Sequence, residues 1–229
     1  MPGGLAVGAP ADGGARHAGA LPHPSARVGR VSAVTNISLP PLRWLSHEGA
    51  GQVADGAVTV TAPSGTDWTN DALGAAPQHA APALVFDAPA ELALAARVRV
   101  TTERTTFDAG ALVLWADDAH WAKLCFEQAP NGQAMVVSTV TNEYTDDCNS
   151  WDVDDETVHL RVVRTGPAWA FHASRDGEAW EFVRLFRLYS DEPVRVGFLA
   201  QAPLGETCTA VFDRIVLDDT PPRDLRDGS

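Results

Sequence analysis

The chain has 229 residues, 45% of them hydrophobic, and carries 17 basic against 30 acidic side chains for a formal charge of −13. Its length and apolar content suit one sizeable core, and its charge repels phosphate backbones and anionic lipid, so neither nucleic acid nor membrane is an expected partner. No stretch approaches the roughly 20 consecutive apolar residues that a membrane-spanning helix needs.

Residues 1–33 are dominated by Gly, Ala, Pro and Ser without hydrophobic periodicity, which predicts a disordered leader or an over-long start. Gly3, Gly4, Pro10, Gly13, Gly14, Pro22 and Pro24 interrupt any apolar core that a secretory signal would require, so the expected setting is cytoplasmic. A single domain is expected over 34–219, with 37–45, containing Pro40, Pro41 and Trp44, as its first docked segment. Within it, short β-favouring runs predict strands over 57–61, 83–87, 91–101, 110–116, 121–128, 133–140, 157–165, 168–174, 180–188, 194–200 and 207–217. Turn signals stand between many of them: Asp55-Gly56, Asp117-Asp118, Asn131-Gly132, Thr165-Gly166-Pro167 and Asp176-Gly177. So many strands exceed one comfortable twisted sheet, and two face-packed antiparallel sheets follow: an all-β sandwich of jelly-roll type. Residues 220–229, with Pro221, Pro222 and several charges, read as a tail.

Cys125, Cys148 and Cys208 are too few for a disulfide framework, and none forms a CxxC pair, so no structural zinc site is written here. Cys148 and Cys208 lie in stretches able to meet across a sandwich, but free thiols are the expected state in a reducing cytosol.

The run Trp121 to Glu127 is the most informative in the chain, because side chains alternate across a strand. Ala122, Leu124 and Phe126 face one way; Trp121, Lys123, Cys125 and Glu127 face the other, lining up a ring, an ammonium and a carboxylate. Either that row is a solvated face with a Lys–Glu pair, or it is the floor of a groove. Because alternation places the two on opposite faces, Phe126→Ala is expected to cost roughly 3 to 5 kcal/mol and Lys123→Ala at most about 1. The alternation in 160–164 and 169–174 turns Arg161 and His172 outward, and His172 is a secondary candidate for proton transfer.

Two acidic stretches, Asp67 to Asp71 and Asp146 to Asp152, read as loops. Each combines carboxylates and an amide with a Trp, the mix that a sugar site uses. The second matches no EF-hand spacing, and no metal or cofactor is expected. No GxSxG, HExxH, P-loop or dinucleotide fingerprint is present.

Several segments in order resemble a family of small β-sandwich domains named after a yeast regulator of enolase, which includes bacterial YesU-like proteins. They are Thr66-Asp67-Trp68, Phe107 to Leu114, Trp121-Ala122-Lys123 with Glu127, Ser138 to Thr141, and Val196 to Pro203, together spanning roughly 36 to 217. The resemblance implies a concanavalin A-like lectin/glucanase sandwich whose concave sheet binds carbohydrate. It supplies no reaction, because this fold hosts lectins, glycosidases and structural modules alike. Where the family tends to read Asp-Gln-Ala-Gly, this chain has Asp108-Ala109-Gly110, and where a Cys-Ser-Pro is common it has Gln201-Ala202-Pro203. The retained matches are Asp67, Trp68, Asp108, Lys123 and Glu127.

The leading expectation is therefore a binding module for a carbohydrate or other polar small molecule, with Asp67, Trp68, Asp108, Trp121, Lys123, Glu127 and His172 as candidate ligand-binding residues. A glycosidase-like enzyme using Glu127 is the alternative; it needs a second carboxylate roughly 5 to 9 Å away. Glucanases of this fold usually set two acids at alternating positions of one strand, whereas here Cys125 stands two before Glu127 and Lys123 four before. A cytosolic regulator docking on a metabolic enzyme such as enolase is the third expectation, with its protein partner unidentified.

Overall fold

The computed structural model describes residues 39–45 and 49–229, so the leader expected over residues 1–33 lies outside the described residues. In chain order the strands are β1 (Arg43–Trp44), β2 (Ala50–Ala54), β3 (Ala57–Pro63), β4 (Trp68–Thr69), β5 (Gln78–His79), β6 (Ala83–Asp87), β7 (Glu91–Val100) and β8 (Ala109–Asp117). They continue with β9 (His120–Gln128), β10 (Ala134–Asn142), β11 (Tyr144–Asp152), β12 (Val158–Thr165), β13 (Ala168–Ser174), β14 (Glu181–Phe186), β15 (Arg195–Gln201) and β16 (Thr207–Asp218). Every strand expected from the sequence is present with its ends shifted by no more than a residue or two. No described segment is a helix long and apolar enough to cross a membrane.

The chain folds into the expected sandwich. One seven-stranded sheet runs β1-β6-β15-β8-β9-β10-β11 and the other β14-β13-β12-β7-β16-β3-β2, and their strands pair antiparallel. Alternation dictates the core between them: Leu92, Leu94, Ala96 and Val98 of β7 meet Ala122, Leu124 and Phe126 of β9 and Val196 and Phe198 of β15, all buried. Each large side chain so buried contributes roughly 1.5 to 3 kcal/mol. A Cβ at Gly110 would come within 2.7 Å of the Ala210 Cβ, so only glycine lets β8 and β16 approach this closely.

β8 is buried on both faces, which its near-continuous apolar sequence encodes. Its second face packs into a separate cluster with Trp68, Trp121, Cys125 and Leu199. What covers that cluster is the segment 64–82, which holds the two-stranded β4-β5 sheet. Asn70 pins it: its Nδ2 donates to the carbonyls of Asp118 (2.9 Å) and Glu143 (3.0 Å), while His79 Nε2 meets its Oδ1 at 2.8 Å.

Two expectations are corrected. The acidic stretch 146–152 is no loop; it lies in β11, the edge strand of the first sheet, exposed along most of its length. An edge strand with little to bury needs few apolar residues, and its charges discourage pairing with another chain, so its composition imitates a loop. The end of the chain, read as a tail, lies against the outer face of the second sheet, where the Leu225 and Gly228 carbonyls accept hydrogen bonds from His172 (2.8 Å) and Arg161 (2.7 Å). Cys125, Cys148 and Cys208 are free thiols.

Candidate functional site

The outer face of the first sheet, where segment 64–82 leaves it uncovered, carries a groove of about 230 Å³. Its floor comes from three adjacent strands. β9 contributes Lys123 and Glu127, β10 contributes Val137 and Thr139, and β11 contributes Thr145, Asp147 and Asn149. Register aligns them in rows: Lys123 opposes Thr139, which opposes Asp147, and Val137 opposes Asn149. The walls are Asp67 to Thr69, Phe107 from the loop before β8, and Gln201 at the end of β15.

Lys123 is buried at 4% exposure, yet its ammonium is fully served. Nζ donates to Asp67 Oδ1 (2.7 Å), the Trp68 carbonyl (2.9 Å) and Gln201 Oε1 (2.7 Å). Burial opposes its charge, but the carboxylates of Asp67 and Glu127 hold its pKa above the ordinary lysine value. Lys123 therefore ties segment 64–82 to the sheet as a structural ion pair, with its three protons already committed.

Glu127 is the opposite case. It is partly buried, and among the described residues no hydrogen bond reaches its carboxylate. Burial pushes its pKa up to about 7; Lys123 pulls it down, while Asp67 and Asp147 push it further up. At neutral pH it is thus poised between a proton donor and an acceptor, aimed into open volume. Asp147 across the floor is braced by Thr139, whose Oγ1 donates to Oδ1 at 2.7 Å.

The other sequence candidates divide. Asp67 and Trp68 line the groove, but the Trp68 ring is 1% exposed, with Nε1 donating to the Ala81 carbonyl at 3.0 Å and its centroid 4.8 Å from that of Trp115. Trp121 lies on the expected face but is fully buried beneath Trp68, their centroids 5.8 Å apart, so it offers no ring to a ligand. Asp108 is buried outside the groove; its Oδ2 accepts from the Thr105 amide (3.0 Å) and hydroxyl (2.9 Å), fixing the loop that enters β8. His172 belongs to β13 on the other sheet, so it cannot share a site with Glu127. Burial beneath the end of the chain pushes its pKa down to about 4, and its Nε2 is held by Leu225.

Residues that sequence reasoning passed over are Phe107, Thr139, Thr145 and Gln201, while Asp147 and Asn149 stood in a stretch with sugar-site composition that read as a loop. Alternation of Thr145, Asp147 and Asn149 was the available signal, hidden by reading β11 as a loop. Phe107, Thr139 and Gln201 all fall in segments that carry the family resemblance.

Comparison with known proteins agrees with the architecture. A functionally unknown protein from Saccharomyces cerevisiae superposes with a TM-score of 0.71 at 21% identity, covering 79% of this chain and 97% of that one. A xylan β-1,4-xylosidase from Bacillus halodurans C-125 matches over 80% of this chain and 41% of its own, with a TM-score of 0.58 and 13% identity. The GH43 BlXynB protein from Bacillus licheniformis matches over 73% and 34%, at 0.57 and 12%. This chain thus corresponds to less than half of either of those two proteins, and at these identities the likeness is one of fold. No protein of curated function matches the chain. At the level of family, a model described as "Protein of unknown function (DUF1349)" matches residues 44–220, the sandwich together with its groove, and the chain belongs to that family.

Proposed function

We propose that the chain binds a carbohydrate or similarly hydroxylated small molecule in the groove over β9, β10 and β11. The observation that carries the reading is the unpartnered Glu127 carboxyl, held near neutral pKa among Thr139, Asp147 and Asn149 in a volume of about 230 Å³. Hydroxyl groups are donors and acceptors at once, so they suit a floor that mixes carboxylates, amides and hydroxyls. The volume lies below the roughly 300 to 1,000 Å³ of drug-sized sites, which favours one sugar unit over a long chain. The fold's likeness to sugar-processing proteins is consistent with this choice. Calorimetry with a panel of mono- and oligosaccharides tests it. Glu127→Gln is expected to weaken any hit by about ten- to a hundredfold, the effect of losing a hydrogen bond to a charged group. Hits that bind parent and variant equally place the site elsewhere.

A second reading, a glycosidase-like enzyme, is favoured by one observation: besides Asp67, which is paired with Lys123, Asp147 supplies a groove carboxylate that β9 itself lacks, and with Asp67 its charge raises the pKa of Glu127. Glu127 would be the acid and Asp147 the base or nucleophile. Release of nitrophenol from aryl glycosides, abolished by Glu127→Gln and by Asp147→Asn with binding preserved, would move the assignment from binding to hydrolysis. Docking on a metabolic enzyme such as enolase rests on the family resemblance alone, and a cytoplasmic setting on the interrupted apolar character of the first residues of the sequence.

A further inference from the structure

Phe107 sits on the groove wall in a backbone conformation that aromatic residues rarely adopt. Its φ is 69°, in the left-handed region, where a Cβ crowds the backbone. The side chain is 39% exposed, so core packing does not explain why the strain is kept. Hydrogen bonds hold it instead. The Phe107 amide donates to the Gln128 carbonyl at 2.7 Å, and its own carbonyl accepts from Gln201 Nε2 at 2.9 Å. Gln201 Oε1 in turn accepts from Lys123 Nζ, which is paired with Asp67. The buried polar chain Asp67–Lys123–Gln201 therefore ends on the backbone of Phe107. On its other side the Asp108 carboxylate holds Thr105, and the Gln128 amide donates to the Asp108 carbonyl at 3.0 Å. Trp68, the other aromatic residue of the lining, is sealed in the cluster beneath, so Phe107 is the exposed ring of this groove.

We propose that Phe107 is the platform for the apolar face of an uncharged pyranose-type ligand, and that Lys123 and Gln201 position this platform without touching the ligand. This rests on the carbohydrate reading of the groove. A sugar needs a ring to cover its C–H face while hydroxyls on its edge meet polar groups, and the floor opposite Phe107 supplies those groups. The ligand is uncharged because the groove's ammonium has its donors occupied, leaving Glu127 and Asp147 to repel an anion.

The test uses the full chain with methyl β-D-glucoside, methyl β-D-xyloside and glucuronate as probes, each titrated by calorimetry into the parent, Phe107→Gly, Phe107→Trp, Gln201→Leu and Glu127→Gln. The parent is expected to bind at least one neutral glycoside more tightly than glucuronate. Phe107→Gly weakens that binding by about tenfold while its Tm holds or rises, since glycine adopts this φ freely. Phe107→Trp keeps affinity within about threefold, about 0.7 kcal/mol at this scale. In saturation-transfer NMR, magnetisation passes from the Phe107 ring to the sugar C–H protons, and Gln201→Leu weakens that transfer without removing the ring. If Phe107→Gly binds as the parent does while Glu127→Gln does not, the platform is wrong and the groove stands. If neither variant changes affinity, or no neutral glycoside binds the parent, the groove reading falls as well. Glucuronate binding as tightly as the glucosides overturns the uncharged ligand.

Discussion

On the outer face of the first sheet, a buried cation, Lys123, meets a carboxylate, a carbonyl and an amide oxygen, while the carboxyl of Glu127 nearby is left free toward open volume. On the outer face of the second sheet, a buried cation, Arg161, donates from Nη2 to the Gly228 carbonyl and lies 4.3 Å over the Trp180 ring, beside a buried His172. Both faces are covered by a stretch of chain, 64–82 on one side and 225–228 on the other. The difference is in what remains unspent. On the second face Arg161 Nε and His172 Nδ1 lack protein partners but are sealed from solvent. On the first, Trp121 Nε1 is likewise sealed without a partner, but the Glu127 carboxyl borders a cavity that a ligand can enter. Burial and a shifted pKa occur on both faces, so neither marks a site by itself; access does.

The comparison predicts a ranking of effects. Phe126, fully buried between the sheets, should cost about 3 to 5 kcal/mol on conversion to Ala, measured by denaturant titration. Lys123→Ala should follow at about 3 kcal/mol, because it strands the Asp67 carboxylate and the Gln201 amide oxygen. That exceeds the cost of at most about 1 kcal/mol expected for an exposed pair, and a measured value near that smaller figure would mean that Lys123 is hydrated after all.

These two variants also mark how far the sequence was legible. Alternation alone assigned both faces of β9 correctly, because period 2 is a property of the strand and needs no partner. It could not say that the face bearing Lys123 is itself roofed, since the roof comes from Trp68 and Asn70 more than 50 positions earlier and depends on long-range pairing. For the same reason Trp121 read as a groove ring when it is a packed one. β11 was missed because edge strands carry little hydrophobic signal, and with it went the strand placement of Thr145, Asp147 and Asn149, three of the seven floor residues. His172 looked like a candidate because outward-facing on an isolated strand resembles outward-facing on the groove sheet; only sheet order separates them.

The two faces should also answer pH in opposite senses. The folded pKa of His172, about 4, lies below its ordinary 6.5, so its contribution is complete above pH 6.5 and lost as pH falls toward 4. Thermal melts should show a loss of about 2 to 3 kcal/mol across that window, flattened in His172→Gln. Glu127 has a folded pKa near 7, above its ordinary 4.5, so its contribution is present below pH 4.5 and lost as pH rises to 7. Discounted for partial exposure, Glu127→Gln should therefore gain about 2 kcal/mol over the parent at pH 8 and little at pH 4.5. Parallel pH profiles for that variant and the parent would remove the free carboxyl from the account.

The most direct measurement is a carbon-13 NMR titration of the Glu127 side-chain carboxyl, free and with a saturating neutral glycoside. We expect a midpoint near 7 in the free protein that moves when the ligand binds, because the ligand's hydroxyls then hydrogen-bond the carboxyl. A midpoint near 4.5 that the glycoside leaves unmoved would contradict it, placing Glu127 in ordinary solvent and the ligand elsewhere.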